Sequence, residues 1–511
     1  MLVETQYLTK TKKLVVSYVD KSGDIKLKYY NWDNPMKYIT CEDNDPYKHP
    51  TYKSWDGKSV KQVEVNYPNR YSVYEFLDSL PENEKEELFA FNIPKIYFID
   101  IETEILDSFP EAKDKLDKDG NIIKEGAASQ VLSISIVYDD KIILLGLKEM
   151  PEDMQERIRK NTNEYFKGHG ENDYKFRYVK YDDEFDMLKA FFEKMVPKMP
   201  LLTGWNFINY DWLFLVNRAK KISKTYNGRT FRINPNVASL TKKMNKQWGC
   251  DAEMPAHRMI FDYMQLYEML DTSIKVKESS SLDFVSSKLV GCEKIKYTGS
   301  LQKLYEEDFE TYMYYNAVDS VLVQKIHDNM NYISIIFAVS SLAKIKIVDV
   351  ISQMNNALAS LAITEGVLRN RFREMDNIVL FKEDSGTPES TISGGWVKEP
   401  NVGMNKWAAC YDFASLYPSV QRQFFIAPEN FVGIQRKDDK TKCDNGELID
   451  EKNHVVCSNG AVFRKRKSPT LNMLEEVYAD RKVNKKIMMS KKVELNEVEM
   501  EIRKLEKDLN I

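Results

Sequence analysis

The sequence is poor in the features that would place it in a membrane, outside the cell or on a global electrostatic attractor. Its longest nearly apolar run, residues 333–343, is 11 long and already interrupted by Ser334, Ser340 and Ser341, well short of the roughly 18–20 residues a spanning helix needs. The first residues, MLVETQYLTKTKKLVV, lack the basic start, apolar middle and small-residue cleavage site of a secretory signal, so an intracellular chain with no membrane partner is expected. The cysteines (Cys41, Cys250, Cys292, Cys410, Cys443 and Cys457) form no CxxC pair, which excludes a disulfide framework and makes a zinc site, with only His454 near Cys443 and Cys457, a poor expectation. The 74 basic and 78 acidic residues leave a net charge of −4. Any contact with nucleic acid must therefore come from local basic patches.

What is present is ample for several cores. A length of 511 residues with 43% hydrophobic and 12% aromatic residues excludes a wholly disordered chain and implies about three or four domains. Short alternating segments such as LVVSYV and IKLKYY, broken by Asp-Asn-Pro and Asp-Gly turns, predict a β-rich start over residues 1–95. From residue 96 the pattern becomes a strand (IYFIDIE), a charged loop, and two further strands (VLSISIVYDD, KIILLGL), the outline of a sheet-centred α/β domain. Residues 183–196 read as one amphipathic core helix, 222–260 as a polar insertion with hairpin character, 301–342 as a second helical block, and the last 43 residues as one long helix.

Chemistry first shows at Asp100 and Glu102. A strand's period of two puts both carboxylates on one face, either at a solvent-facing strand end or as a buried pair, and a buried pair calls for a divalent cation. Asp211 follows a Gly-Trp-Asn turn just inside an apolar run, and Tyr315 and Asp319 lie four apart on a helix, hence stacked. Taken together, Asp-x-Glu, a distant Asp and Tyr-x-x-x-Asp resemble the three exonuclease motifs of the proofreading domain of family B DNA polymerases. That resemblance implies that Asp100, Glu102, Asp211 and Asp319 hold two Mg²⁺ ions, with Mn²⁺ able to substitute, that Tyr315 orients the attacking water, and that Lys294 supports a phosphate. It also implies that Trp205, Asn206 and Asn209 contact the single-stranded 3′ end.

Downstream, YDFASLYPSV resembles the palm motif D-x-x-S-L-Y-P-S of the same family. The resemblance implies that Asp412 is a ligand of the catalytic metals and that Ser415, Leu416 and Tyr417 bind the incoming nucleotide, with Tyr417 excluding a 2′-hydroxyl. SGGWVKEP resembles the element joining exonuclease to palm and implies DNA contact at Gly394 and Gly395. PTLNMLEEVYADRKVNKKIM resembles the first fingers helix, where Arg481 and Lys485 share a face and hold the triphosphate. The family's Asp-Thr-Asp hairpin and Lys-x-x-x-Asn-Ser-x-Tyr-Gly helix do not occur in these residues.

The resemblance, nearest to the replicative polymerases of T-even-type bacteriophages, implies an α/β multidomain protein. It would have a β-rich N-terminal domain at 1–95 rejoined by 336–390, a ribonuclease-H-like 3′–5′ exonuclease at 96–335, a partial palm at 391–466 and the start of the fingers at 467–511. The expected function is the exonuclease-bearing part of a split replicative polymerase acting on primer-template DNA and dNTP in the cytoplasm of an infected bacterium. A second polypeptide would supply the remaining palm, fingers and thumb, and a sliding clamp would be reached through that partner. A truncated form of one polypeptide has the same sequence signature. A stand-alone exonuclease with a vestigial polymerase part and a module that binds its own messenger RNA are the alternative readings.

Overall fold

The computed structural model describes residues 1–41, 52–55, 57–105, 108–169, 173–238, 245–246, 252–271, 277–353, 366–369, 371–372, 378–379, 398–399, 402–404, 406–407, 409–413 and 415–509. They form two compact units, Met1–Pro35 with Asn66–Thr364 and Met36–Val65 with Glu365–Ile511. Among the described residues no helix is long and apolar enough to cross a membrane.

The first unit opens with an antiparallel sheet of β1 (Leu2–Leu8), β2 (Lys13–Val19) and β3 (Ile25–Asn31). Its main sheet has six strands: β4 (Ile96–Thr103), β5 (Val131–Tyr138), β6 (Lys141–Gly146), β7 (Lys175–Lys180), β8 (Leu201–Gly204) and β9 (Met259–Asp262), in the spatial order β7-β6-β5-β4-β8-β9. β4 runs antiparallel to β5 and parallel to β8, so it is central and paired on both edges. Alternation then divides its side chains. Ile99 and Ile101 enter a large core with Ile134, Ile136, Phe191, Phe192 and Trp212, while Asp100 and Glu102 point to the opposite face. The register sets Ser135 beside Asp100 and Ser133 beside Glu102, so β5 presents two small polar residues next to the two carboxylates. The charged loop between β4 and β5 contains a short hairpin, Lys115–Leu116 with Ile122–Lys124.

The helices behave as their residues dictate. α1 (Glu184–Ala190) is capped by Asp183, whose side chain accepts from Asp186 N; the helix expected through residue 196 loosens to a π turn over Phe191–Met195 and a 3₁₀ turn over Val196–Lys198, because Pro197 can neither donate a helical hydrogen bond nor sit in an α interior. α2 (Asp211–Lys221) follows β8, and α3 (Tyr263–Leu270) follows β9. α4 (Phe309–Met330) is capped by Asp308 and ends at Asn331, a left-handed residue that leads straight into the helix Tyr332–Ala343. Between α2 and β9, the described residues contain the hairpin Ser223–Tyr226 with Arg229–Arg232.

In the second unit, Met36–Thr40, Ser59–Glu64, Tyr52–Ser54 and Ile378–Val379 form a sheet whose last pair is parallel. α5 (Leu416–Gln423) is tied to α6 (Pro469–Leu509) by the Arg422 guanidinium, 4.7 Å from the Tyr478 ring centre. A three-stranded sheet of β10 (Phe431–Ile434), β11 (His454–Val456) and β12 (Ala461–Arg464) lies between them in sequence. Glu429 holds the start of α6 by accepting from Thr470 N at 2.9 Å and Thr470 Oγ1 at 3.0 Å.

Candidate active site

Asp100 and Glu102 leave β4 on the face covered by α4, and Asp319 on α4 meets them there. Carboxylate oxygens of Asp100, Glu102 and Asp319 all lie within 4.8 Å of one another. Asp211, the first residue of α2, sits beside them: its Oδ1 accepts from the backbone N–H of Ile101 at 3.3 Å. The positive end of the α2 dipole favours charge at that position. Asp211 and Asp319 are buried, Asp100 and Glu102 partly so.

Crowding of like charges in a dry place has a cost, and it appears in the proton affinities. Burial, then the charge of Asp319, pushes Asp100 up to about 7, against the pull of Lys294 and of an amide bond from Asn316. Glu102 is held above the usual carboxylate range by burial and then by Asp100 and Asp319. Asp211 is raised by burial and by Asp100, and Asp319 by burial, opposed by Lys294. Lys294 brings a positive charge to the cluster: its Nζ lies 2.6 Å from Asp319 Oδ2 and donates to Tyr315 Oη at 2.9 Å. Burial alone would lower its affinity for a proton, but Asp319, Tyr315 and Asp100 outweigh it. The Tyr315 hydroxyl is raised by burial and by Asp319, so it stays a phenol; its ring meets Tyr297 edge-on at 5.3 Å.

One further observation tests whether these residues fit a cation. Asp319 Oδ1 is buried without any hydrogen-bond partner, in a cluster whose charged forms are all disfavoured by burial. An acceptor-only oxygen in that position matches a hard divalent cation, which prefers carboxylate ligands. The donor set therefore fits a hard divalent cation.

The stretch between β8 and α2 carries the other candidates. Gly204 closes β8 where only a hydrogen fits, since a Cβ there would stand 2.3 Å from Ile99 O. Trp205 donates its indole N–H to Ser280 O at 2.9 Å and packs near Tyr267. Asn206 takes a left-handed φ of 56°, and Asn209 is exposed. Three residues escaped the sequence reading. Asn316 bonds Asp100 and Ser133. Asp283 accepts from the backbone N–H of Lys294 at 2.7 Å and so fixes the loop that carries this lysine. Asp262, pushed up to about 6 by burial, caps α3 through Met264 N and Gln265 N and accepts from Ile208 N; its oxygens are committed to the backbone. The sequence signal for Asn316 was its place one residue after Tyr315 and three before Asp319.

In the second unit most of the candidates are exposed. Asp412 is exposed, Ser415 starts α5 with a φ of 52°, and Leu416 and Tyr417 are 45% and 79% exposed. Arg481 and Lys485 are exposed on α6. Among the described residues no hydrogen bond or ion pair joins Asp412 to Arg481 or Lys485. Gly394 and Gly395 lie outside the described residues.

Residues 53–285 match the model of the family B DNA polymerase exonuclease domain, and residues 356–506 that of DNA polymerase family B. The DNA-directed DNA polymerase of Escherichia phage RB69 is 28% identical over 261 residues, which is 51% of this chain and 28% of that protein. The DNA-directed DNA polymerase of Enterobacteria phage T4 is 24% identical over 331 residues, 64% of this chain and 35% of that protein. The matched part thus spans about a third of each relative's length.

Proposed function

The chain belongs to the family B DNA polymerases, and we propose that residues 96–335 are a ribonuclease-H-like domain that hydrolyses DNA from its 3′ end, with Asp100, Glu102, Asp211 and Asp319 holding Mg²⁺ or Mn²⁺. The observation that carries this reading is the meeting of three carboxylates within 4.8 Å, one of which, Asp319, keeps a buried Oδ1 without a hydrogen-bond partner. A divalent cation bound there would supply Lewis-acid charge and a water of lowered pKa. The chain's own groups do the rest. Tyr315, kept neutral and with its oxygen accepting from Lys294, would orient a water through its hydroxyl. Lys294 brings positive charge to the phosphodiester. Trp205, Asn206 and Asn209 would receive the unpaired 3′ end. The test is digestion of 3′-labelled single-stranded DNA with Mg²⁺: Asp100→Ala/Glu102→Ala together should lower the rate by several orders of magnitude, and unchanged digestion would end the assignment.

For the second unit the proposal is that Asp412, Ser415, Leu416, Tyr417, Arg481 and Lys485 contribute to template-directed DNA synthesis from dNTP, with Gly394 and Gly395 in contact with DNA. Nucleotidyl transfer with two metals needs a second palm carboxylate. We propose that the rest of palm, fingers and thumb supplies it by packing against these residues, and that a sliding clamp is engaged through those parts in the host cytoplasm. Supporting this are the roughly half-exposed Ile487, Val493, Leu495, Val498 and Leu505 on α6, more apolar surface than a lone solvated helix ordinarily shows. Mixed with a polypeptide that carries those parts, these residues should give a complex on gel filtration that extends a primer; failure to form such a complex would end this proposal.

A further inference from the structure

The hydrolytic reading, on which this inference rests, assigns Asp100 a ligand's role without saying what aims it. Asp100 stands on the central strand with Ser135 beside it and Ser133 beside Glu102. Small residues at these two positions leave room above the strand, and Asn316 from α4 fills it. Asn316 is fully buried, as are Ser133 and Ser135. Its Nδ2 donates to Asp100 Oδ2 at 2.9 Å, and its Oδ1 accepts from Ser133 Oγ at 3.1 Å. The two bonds define which way the amide points: turned over, it would set its oxygen against a carboxylate oxygen. One helical turn therefore provides the hydroxyl of Tyr315, the brace of Asn316 and the carboxylate of Asp319, the last two three residues apart on one face.

We propose that Asn316, itself held by Ser133, is a positioning residue that locks the Asp100 carboxylate in its cation-binding orientation. Fixing Oδ2 by a donor in a dry place removes the carboxylate's rotation and leaves Oδ1 for the cation. Hydrogen-bonded partners of ligands commonly change affinity or activity by about 10- to 100-fold when removed.

The experiment uses the full chain, with Mn²⁺ binding by titration calorimetry and steady-state digestion of 3′-labelled single-stranded DNA. Asn316→Leu, nearly the same shape without a donor, should weaken Mn²⁺ binding by about 10- to 100-fold and lower kcat while KM for DNA stays put. Asn316→Asp at pH 8 should be worse, because its charge faces Asp100. Ser133→Ala should move both readouts the same way by less, and it decides the matter if Asn316→Leu does not fold. A lowered melting temperature with unchanged Mn²⁺ affinity and kcat would make Asn316 merely structural and overturn the proposal. Asp100→Ala run in parallel separates the two ideas: digestion surviving Asp100→Ala defeats the hydrolytic reading, whereas a dead Asp100→Ala beside a fully active Asn316→Leu defeats this inference alone.

Discussion

The carboxylate cluster should make the metal-free protein unstable in alkali, and replacing one of its members should cure part of that. Asp100 is raised from 3.8 to about 7. Its folded affinity for a proton exceeds the unfolded one, so between those values the native state binds more protons. The stability associated with this group is whole below about pH 4 and falls as pH rises toward 7. At about 1.4 kcal/mol per pKa unit the loss is at most ~4 kcal/mol by pH 8, and less in practice because Asp100 is partly exposed. Glu102, Asp211 and Asp319 shift in the same direction, which steepens the slope. Asp100→Asn keeps an acceptor for Asn316 Nδ2 while removing the charge. For a unit of this size ~2–4 kcal/mol corresponds to a melting shift of about 3–6 °C. In EDTA, wild type should therefore melt lower at pH 8 than at pH 5, and Asp100→Asn should melt above wild type at pH 8 with a shallower pH slope. Mg²⁺ should raise the wild-type transition, by about 2.7 kcal/mol at a hundredfold excess over Kd, and raise the variant's far less. If Asp100→Asn melted at or below wild type at pH 8 in EDTA, or if both shared one pH slope, the cluster would not be the strained, charge-crowded place described above.

Tyr315→Phe removes only the water-orienting hydroxyl, so kcat for 3′ digestion should fall by no more than the roughly 10²–10³ that one preorganised donor supplies, well short of the Asp100→Ala/Glu102→Ala loss; equal losses in single-turnover assays would refute the orienting role. Glu184→Ala should be among the most destabilising substitutions, about 3–5 kcal/mol by denaturant titration, because it strips Arg218 of a two-point ion pair and Val131 N of its acceptor; a change under about 1 kcal/mol would show that solvent screens the pair. In a reconstituted polymerase, Tyr417→Ala should raise ribonucleotide incorporation without changing 3′ digestion, and unchanged sugar discrimination in primer-extension assays would remove Tyr417 from the nucleotide site.

How far the sequence alone reaches can be argued from the residues of the two units. Asp100 and Glu102 announce themselves because a period of two and an apolar strand are local facts, and β4 is indeed a strand paired on both edges. Tyr315 and Asp319 are legible for the same reason with a helical period. That these two pairs face each other is not local. It depends on α4 lying over β4 and β5, a relation spanning more than two hundred residues, and only likeness to a family linked them in advance. Asn316 shows the limit from the other side: its neighbours along the chain were singled out, yet its meaning lies in Ser133, 183 residues away. The serines of VLSISIVY carried a signal, since two hydroxyls spaced by two on an otherwise apolar strand must face something polar, but the strand could not say what. The end of α1 was hidden by apolar periodicity that runs on through Phe191, Phe192 and Met195, where the nearby Pro197 overrules the pattern. The pairing of Ile378 with Lys53 is hidden more deeply, because a two-residue parallel contact across more than three hundred residues leaves no periodicity to read. What a sequence displays is therefore the chemistry that one element can hold by itself; what it conceals is the complement that another element brings, and in this site the complement is the part that aims the chemistry.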